Sequence, residues 1–404
     1  MPLQWNIPIS SAFTDSWSRI LLENYIGRTA GVLAARKIME NPYLTCVLPR
    51  ALSDELILHC VLALSASHRA HEEDALDFKS LSSRHYVLAL RQLRRELSKA
   101  VGVNAEEELR FLLATNLLAT LEAIGGNTHG AALYHLHASQ PFLSAALTAA
   151  FKSAHRELIS FLVESHAYMT LVANITFSSD GILQDLLTDP LLSSLEQLRS
   201  EGTYGVMFGC AHGLFQLIPS IYTLAKTRMQ EREHGVVSSD TLAQYSYIEQ
   251  QIRCWRVPSD LQVEDEWFEQ LSTSAEIYRH ALLIFMHTAF ECSPTATEEI
   301  MRKLQPEIDA VFPLAQRLFS YESYPPVATI MLWPAIILGS CLRRSEDRRL
   351  LRNILMDFPL RMGIVKQAAS LLDLLWNDAA DDTLFGPVGL HIVMVKNGIN
   401  FCMA

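Results

Sequence analysis

The acids in VEDEWFEQ are spaced so that they could do chemistry. Asp265, Glu266 and Glu269, beside Glu264, fit the loose pattern D-[DE]-x-x-[DE]. On a helix they would lie on neighbouring faces and could hold Mg²⁺ against a diphosphate, as the ionisation of a prenyl diphosphate requires. The same residues suit the first turn of a helix, where carboxylates meet the positive end of the dipole, with Trp267 and Phe268 turned inward. The second reading is favoured, so no metal or other cofactor is expected, and Mg²⁺ on Asp265, Glu266 and Glu269 stands as the alternative. A second group, Asn377, Asp378, Asp381 and Asp382, offers oxygen ligands but falls where a helix runs into a loop.

Several of the 14 histidines are grouped: His129, His135 and His137; His68 and His71; His280 and His287. His135 and His137 are two residues apart, which on a helix points the rings away from each other, so joint ligation is not expected. No zincin spacing, GxSxG, Walker or dinucleotide fingerprint occurs, and GGNTHG lacks the preceding strand that a phosphate loop needs. The seven cysteines are scattered, with no CxxC pair, which removes any argument for a structural zinc site. No catalytic group can be named. A ligand pocket between helices would be lined by apolar and aromatic groups. Phe208, Phe215, Tyr222, Tyr278, Phe285, Met286 and Trp333 are the candidates, each also serving as ordinary core.

The elements that must position these residues are helical. Half of the 404 residues are hydrophobic, and glycine and proline are scarce, so a large core can form and a disordered chain is excluded. Apolar residues recur at three- and four-residue steps along most of the chain, and no sustained alternation supports a sheet. The spacing predicts helices over 17–39, from a Ser53 cap to about 71, then 78–99, 105–123, 129–149, 155–175, 180–198 and 204–229. After a polar stretch at 230–240, an exposed loop or boundary, come 241–254, 265–289, 295–319, 325–342, 346–357 and 364–378. The fold class is all-α, an array of about 12 to 16 packed helices. Residues 1–17 read as a lead-in and 18–404 as one domain with a subdivision near 230–240.

Net charge is −11. A domain that grips DNA alone advertises a basic face, because phosphate neutralisation carries much of the affinity. The basic groups here, Arg91, Arg94 and Arg95, then Arg343, Arg344, Arg348, Arg349 and Arg352, interleave with leucines as solvated helix faces. Direct nucleic-acid binding is not expected. The most apolar stretch, 330–342, is too short to span a bilayer, so no membrane partner is expected.

Several passages, in order, carry a resemblance. LLENYIGRTAGVL precedes NPYLTCVLPRALSDELILHCVLALSASHRA, with Asn41, Pro42, Pro49, Ala66, Ser67 and His68 at the matching positions. GGNTHGAALYHLHASQPFL follows, with His135 and Leu136, although Ala131-Ala132 stand near where a tryptophan is usual. AEIYRHALLIFMHTAF, LWPAIILGSCLRRSEDRRLL and LLDLLWNDAADD complete the series through Tyr278, Arg279, Trp333, Pro334, Gly339, Glu346, Asp347, Arg348 and Trp376. Over about residues 18–395 the chain resembles the fungal-specific transcription factor domain, the regulatory region of fungal zinc-cluster transcription factors.

That resemblance implies an all-α array working by protein contact, with a homodimer and an apolar small-molecule effector among its expected partners. It also implies a nuclear location and control of a fungal secondary-metabolite pathway; the cytoplasm is the alternative. The six-cysteine zinc cluster of the family is missing ahead of the first matching helix. The chain is thus expected to be a fragment, a regulator using a DNA-binding partner, or the fold recruited for other work. In the last case the alternative is an enzyme of secondary metabolism, a Mg²⁺-dependent sesquiterpene cyclase.

Overall fold

The computed structural model describes residues 16–35, 41–73, 76–99, 104–149, 155–173, 175–177, 205–258, 264–321, 325–358, 360–378, 383–400 and 402. The chain enters through α1 (Ser16–Asn24), a π-helical turn (Tyr25–Thr29) and the single turn α2 (Ala30–Val32). A second π turn (Tyr43–Val47) leads into α3 (Leu48–Ser53), α4 (Glu55–Glu73) and α5 (Leu76–Leu97). Then come α6 (Ala105–Gly125), α7 (Ala131–Ala149) and α8 (Arg156–Ala173). The second half holds α9 (His212–Phe215), α10 (Ile218–Glu233), α11 (Ser239–Cys254), α12 (Asp265–Glu291) and α13 (Glu298–Leu318). It closes with a 3₁₀ turn (Pro326–Ile330), α14 (Leu332–Ser340), α15 (Ser345–Met356), α16 (Gly363–Trp376) and α17 (Gly386–Lys396). Among the described residues only isolated bridges interrupt helix and turn, so the chain is an all-α array.

Burial sorts these helices. From Leu158 to Ala173 every residue of α8 is buried, and α4 and α6 are nearly as enclosed. Helices apolar on all sides belong inside, and these three form the interior with α12. Amphipathic α5 and α13 pack over α4 and α12 from outside. The hydrophobic core is continuous from Tyr25 to Cys402 and includes residues on both sides of 230–240, where α10 continues to Glu233 and only 234–238 stand exposed between helices.

Backbone chemistry sets the ends. The Asn104 side chain accepts from the Glu106 and Glu107 amides at 3.0 Å each, and Glu107 accepts the Asn104 amide in return. Gly126, at φ +72°, ends α6 as its Gly-Gly-Asn sequence predicts. There the chain is tight: a Cβ on Gly363, the first residue of α16, would lie 2.3 Å from the Gly125 carbonyl oxygen and 2.6 Å from the His71 ring. Gly363→Ala is therefore expected to cost about 1–3 kcal/mol by overpacking, read as a lowered urea midpoint at constant m. A midpoint equal to that of the parent would show that the two helices can part at no cost.

Four expectations change. Asp54, not Ser53, caps α4, accepting the Ile57 amide at 3.2 Å; Ser53 instead closes α3 and donates back to the Pro49 and Arg50 carbonyls. Residues 17–39 do not make one helix, because a π turn widens it at Tyr25 and the helix stops at Val32. The span 204–229 splits, since Gly205 (φ +88°) and Gly209 (φ +55°) take left-handed turns before α9 and α10. The span 325–342 splits into a 3₁₀ turn and α14: Pro334 has no N–H to give the Ile330 carbonyl, which accepts the Tyr278 hydroxyl at 2.7 Å instead. Helix α17 has no predicted counterpart, because buried Leu390 and Val393 alternate with exposed Ile392 and Val395 and leave no period to read. The helix expected at 180–198 lies outside the described residues.

Candidate functional site

The π turn at Tyr25 gathers polar groups that an α-helix would keep apart. Asn24, at its entry, donates from Nδ2 to Thr29 Oγ1 at 3.2 Å and to Ser65 Oγ at 3.0 Å, and Ser65 donates to the Leu21 carbonyl. Thr29 Oγ1 lies 3.2 Å from His68 Nδ1, and His68 Nε2 lies 3.2 Å from the Leu360 carbonyl. A carbonyl can only accept, so Nε2 carries the proton and Nδ1 accepts from Thr29. All four side chains are buried. Burial pushes the His68 pKa below its ordinary value, which keeps the ring neutral and this chain of bonds intact.

Leu360 belongs to the short connection between α15 and α16. Phe358, Leu360 and Met362 turn inward and are at most 6% exposed, while Arg361 between them is exposed and left-handed, at φ +44°. A non-glycine residue there holds local strain. The three inward side chains wall a cavity of about 40 Å³ shared with Leu33, Tyr43, Thr120, Tyr168, Met207, Thr329 and Leu332. A second cavity of about 40 Å³, lined by Ile277, Phe312, Phe319, Pro334, Leu338 and Leu355, lies against the other sides of Phe358 and Leu332. Its walls are wholly apolar side chains. In the first, the hydroxyls already have partners: Thr120 donates to the Asn116 carbonyl and Thr329 to the Val32 carbonyl.

The aromatic candidates stand elsewhere and touch one another. Phe208 and Phe215 are 4.8 Å apart, Phe215 and Tyr278 4.5 Å, and Tyr278 stacks on Trp333 at 5.7 Å with the planes 2° apart. Phe285 meets Trp333 edge-on at 5.4 Å and Tyr222 at 5.6 Å. None of the six lines either cavity, and fully buried Met286 does not either. They form a packed aromatic seam beside the cavities, in which the Trp333 indole N–H finds no acceptor among the described residues.

The acidic clusters do not assemble. Asp265 and Glu266 are exposed in the first turn of α12 and Glu269 is paired with Arg317, while Phe268, expected inward, is 40% exposed. Asp378 is paired with Lys396 at 2.8 Å; Asp381 and Asp382 lie outside the described residues. Among the described residues no three His, Cys, Asp or Glu side chains stand together as a cation site. The grouped histidines go to separate partners: His135 to Tyr86, His280 to Glu307 and His287 to Tyr245. Among the described residues no helix is long and apolar enough to cross a membrane.

Sequence reasoning missed one buried charge. Glu164, in the middle of α8, accepts four successive backbone amides: Gly205 at 2.8 Å, Val206 at 3.2 Å, Met207 at 2.8 Å and Phe208 at 2.9 Å. Burial pushes its pKa up and the four amides pull it down; two amide donors on each carboxylate oxygen fit the ionised form. A lone acid inside the apolar run FLVESHAYM was the available signal. Residues 358, 360 and 362 had a weaker one, three alternating apolar residues between a helix and Gly363.

The same order of motifs that runs through this fold is shared with known proteins. The family model described as "Fungal specific transcription factor domain" matches residues 20–404. The chain belongs to that family. Within the family it is similar to transcription factor ntnD of a Nectria species, at 23% identity over 325 residues, 75% of this chain and 52% of that protein. The chain thus spans about half the length of that curated relative. No solved structure matches it. The family motif Ala66-Ser67-His68 now has a structural meaning, since its histidine bridges the π turn and the 358–362 connection.

Proposed function

We propose that this chain is a nuclear transcription-regulator domain that works through protein partners, itself as a homodimer among them, and responds to an apolar small-molecule effector in a secondary-metabolite pathway. The family match over residues 20–404 carries the reading. The similarity to a transcription factor supports it.

Charge favours an indirect role. With a net charge of −11 the domain repels phosphate backbones, and two of the exposed arginines are already paired, Arg344 with Asp309 and Arg352 with Asp373. An apolar effector, and not a polar one, suits the cavities: their walls are hydrocarbon and aromatic, and their hydroxyls are satisfied.

Deleting the gene is expected to lower a defined set of transcripts, and the purified chain with farnesyl diphosphate and Mg²⁺ to release neither diphosphate nor hydrocarbon. Unchanged transcripts beside a missing metabolite would overturn the regulator reading in favour of an enzyme.

A further inference from the structure

Of the chain's 16 prolines only Pro294 follows a serine or a threonine, and it stands where α12 is joined to α13. Cys292 ends α12 in the left-handed region, at φ +47°, and Thr297 caps α13 by accepting the Ile300 amide at 3.2 Å. Residues 293–296 lie between the two helices. The Ser293 hydroxyl accepts the Thr295 amide at 3.3 Å and lies 3.2 Å from the Thr295 hydroxyl, both exposed contacts. Turning the side chain outward exchanges them for bonds to water, at little cost. A proline directly after the hydroxyl is a chemical filter. It offers no N–H to a kinase cleft, so the acceptor suits enzymes whose cleft takes the pyrrolidine ring instead.

Charge around the hydroxyl favours a phosphate. Arg232, exposed near the end of α10, donates to the carbonyls of Glu291, at 3.3 Å, and of Cys292, whose peptide bond carries Ser293. Arg228 is paired with Glu231 at 2.8 Å, whereas Arg232 has no carboxylate partner among the described residues. Burial pushes the neighbouring Cys292 thiol up to about 11; Arg228 and Arg232 act against that rise and Glu291 with it. Two cations and one anion therefore bear on this spot. We propose that Ser293 is the acceptor of a proline-directed protein kinase and that its phosphate pairs with Arg232. The Ser293 oxygen attacks the γ-phosphorus of ATP, and the bond from that phosphorus to the β–γ bridging oxygen breaks as ADP leaves. The hydroxyl proton passes to the kinase's carboxylate base. The product carries about two negative charges and three acceptor oxygens. It ties the end of α10 to the α12–α13 connection, which Thr295 bridges to Leu384 ahead of α17. Neither the effector nor the regulator reading is needed for this chemistry.

The test incubates the folded full chain with Mg²⁺-ATP and two purified proline-directed kinases, one mitogen-activated and one cyclin-dependent. A peptide of residues 289–300 runs beside it, and mass spectrometry locates the phosphate. One phosphate per chain is expected, at Ser293. Ser293→Ala is expected to abolish incorporation and Pro294→Ala to slow it at least about tenfold, with both variants melting like the parent. Titration followed by ³¹P NMR then reads the contact. The second proton of the phosphate is expected to bind about threefold more weakly in the chain than in the peptide, and as in the peptide in Arg232→Gln.

Phosphate on the peptide but not on the folded chain would overturn the site, as would equal incorporation in Ser293→Ala. Kinases that modify neither, or that ignore Pro294→Ala, would overturn the proline-directed reading. A phosphate that titrates alike in chain, peptide and Arg232→Gln would overturn the pairing.

Discussion

Lowering the pH from 7.5 to 5 is expected to remove about 5 kcal/mol of stability, enough to unfold a domain of ordinary stability. Three histidines carry the effect. Burial lowers His135, His166 and His287 to about 4 each, against about 6.5 in an unfolded chain. The unfolded state therefore binds more protons between pH 6.5 and 4, and stability present above that window is lost through it. At pH 5 each histidine accounts for roughly 2 kcal/mol.

His166 shows the cause most plainly. Ser139 donates its hydroxyl to the Leu136 carbonyl at 2.7 Å, so the His166 Nδ1 proton must be the donor in their 3.0 Å contact. Nε2 is then a bare lone pair, buried with no partner among the described residues, and a proton placed there would have neither water nor an acceptor. Glu164, with its pKa raised by burial, acts with the opposite sign and trims the slope. Urea midpoints at pH 7.5, 6 and 5 measure the loss, and His166→Phe should flatten the slope by about one proton in this window. A midpoint constant across that range would refute the account.

Glu164→Gln is expected to lose about 3–5 kcal/mol at pH 7.5, the scale found when a buried charge arrangement is broken on one side. Glutamine keeps the shape and one accepting oxygen, but its amide nitrogen would face two backbone N–H groups that also donate. Two buried donors are left unsatisfied, at about 1–3 kcal/mol each. The damage should fall on residues 205–208, which hold Phe208 in the aromatic seam and pair the Val206 carbonyl with the Ala35 amide at 2.7 Å. Amide exchange at 205–208 is the local readout. If those amides remain as protected as in the parent, the carboxylate does not hold the turn.

Much of the fold was legible because helical period and end signals are local. The acids that open the helix at 105 and the Gly125-Gly126-Asn127 stop each act through residues within one turn. Errors fell where a distant group intervened. Residues 204–229 carry enough apolar period for one helix, but Glu164, some forty positions earlier, captures the amides at 205–208. The break at 325–342 likewise depends on Tyr278 waiting for the Ile330 carbonyl. Aromatic candidates were chosen for size and apolarity, properties that core and pocket residues share, so spacing could not say which would face a space.

What the sequence alone determined is the class and the family: an all-α chain whose apolar steps build the helices and whose ordered motifs place it among fungal-specific transcription factor domains. It also determined the net negative charge. What only the tertiary structure decided is which distant groups meet across the core. His68 and Leu360 are 292 residues apart and meet across the core; the three side chains that fill the cavity come from a connection too short to show a period. Local propensity acts over a few residues and can be read along the chain. A site made by contacts between distant segments exists only once packing has brought them together.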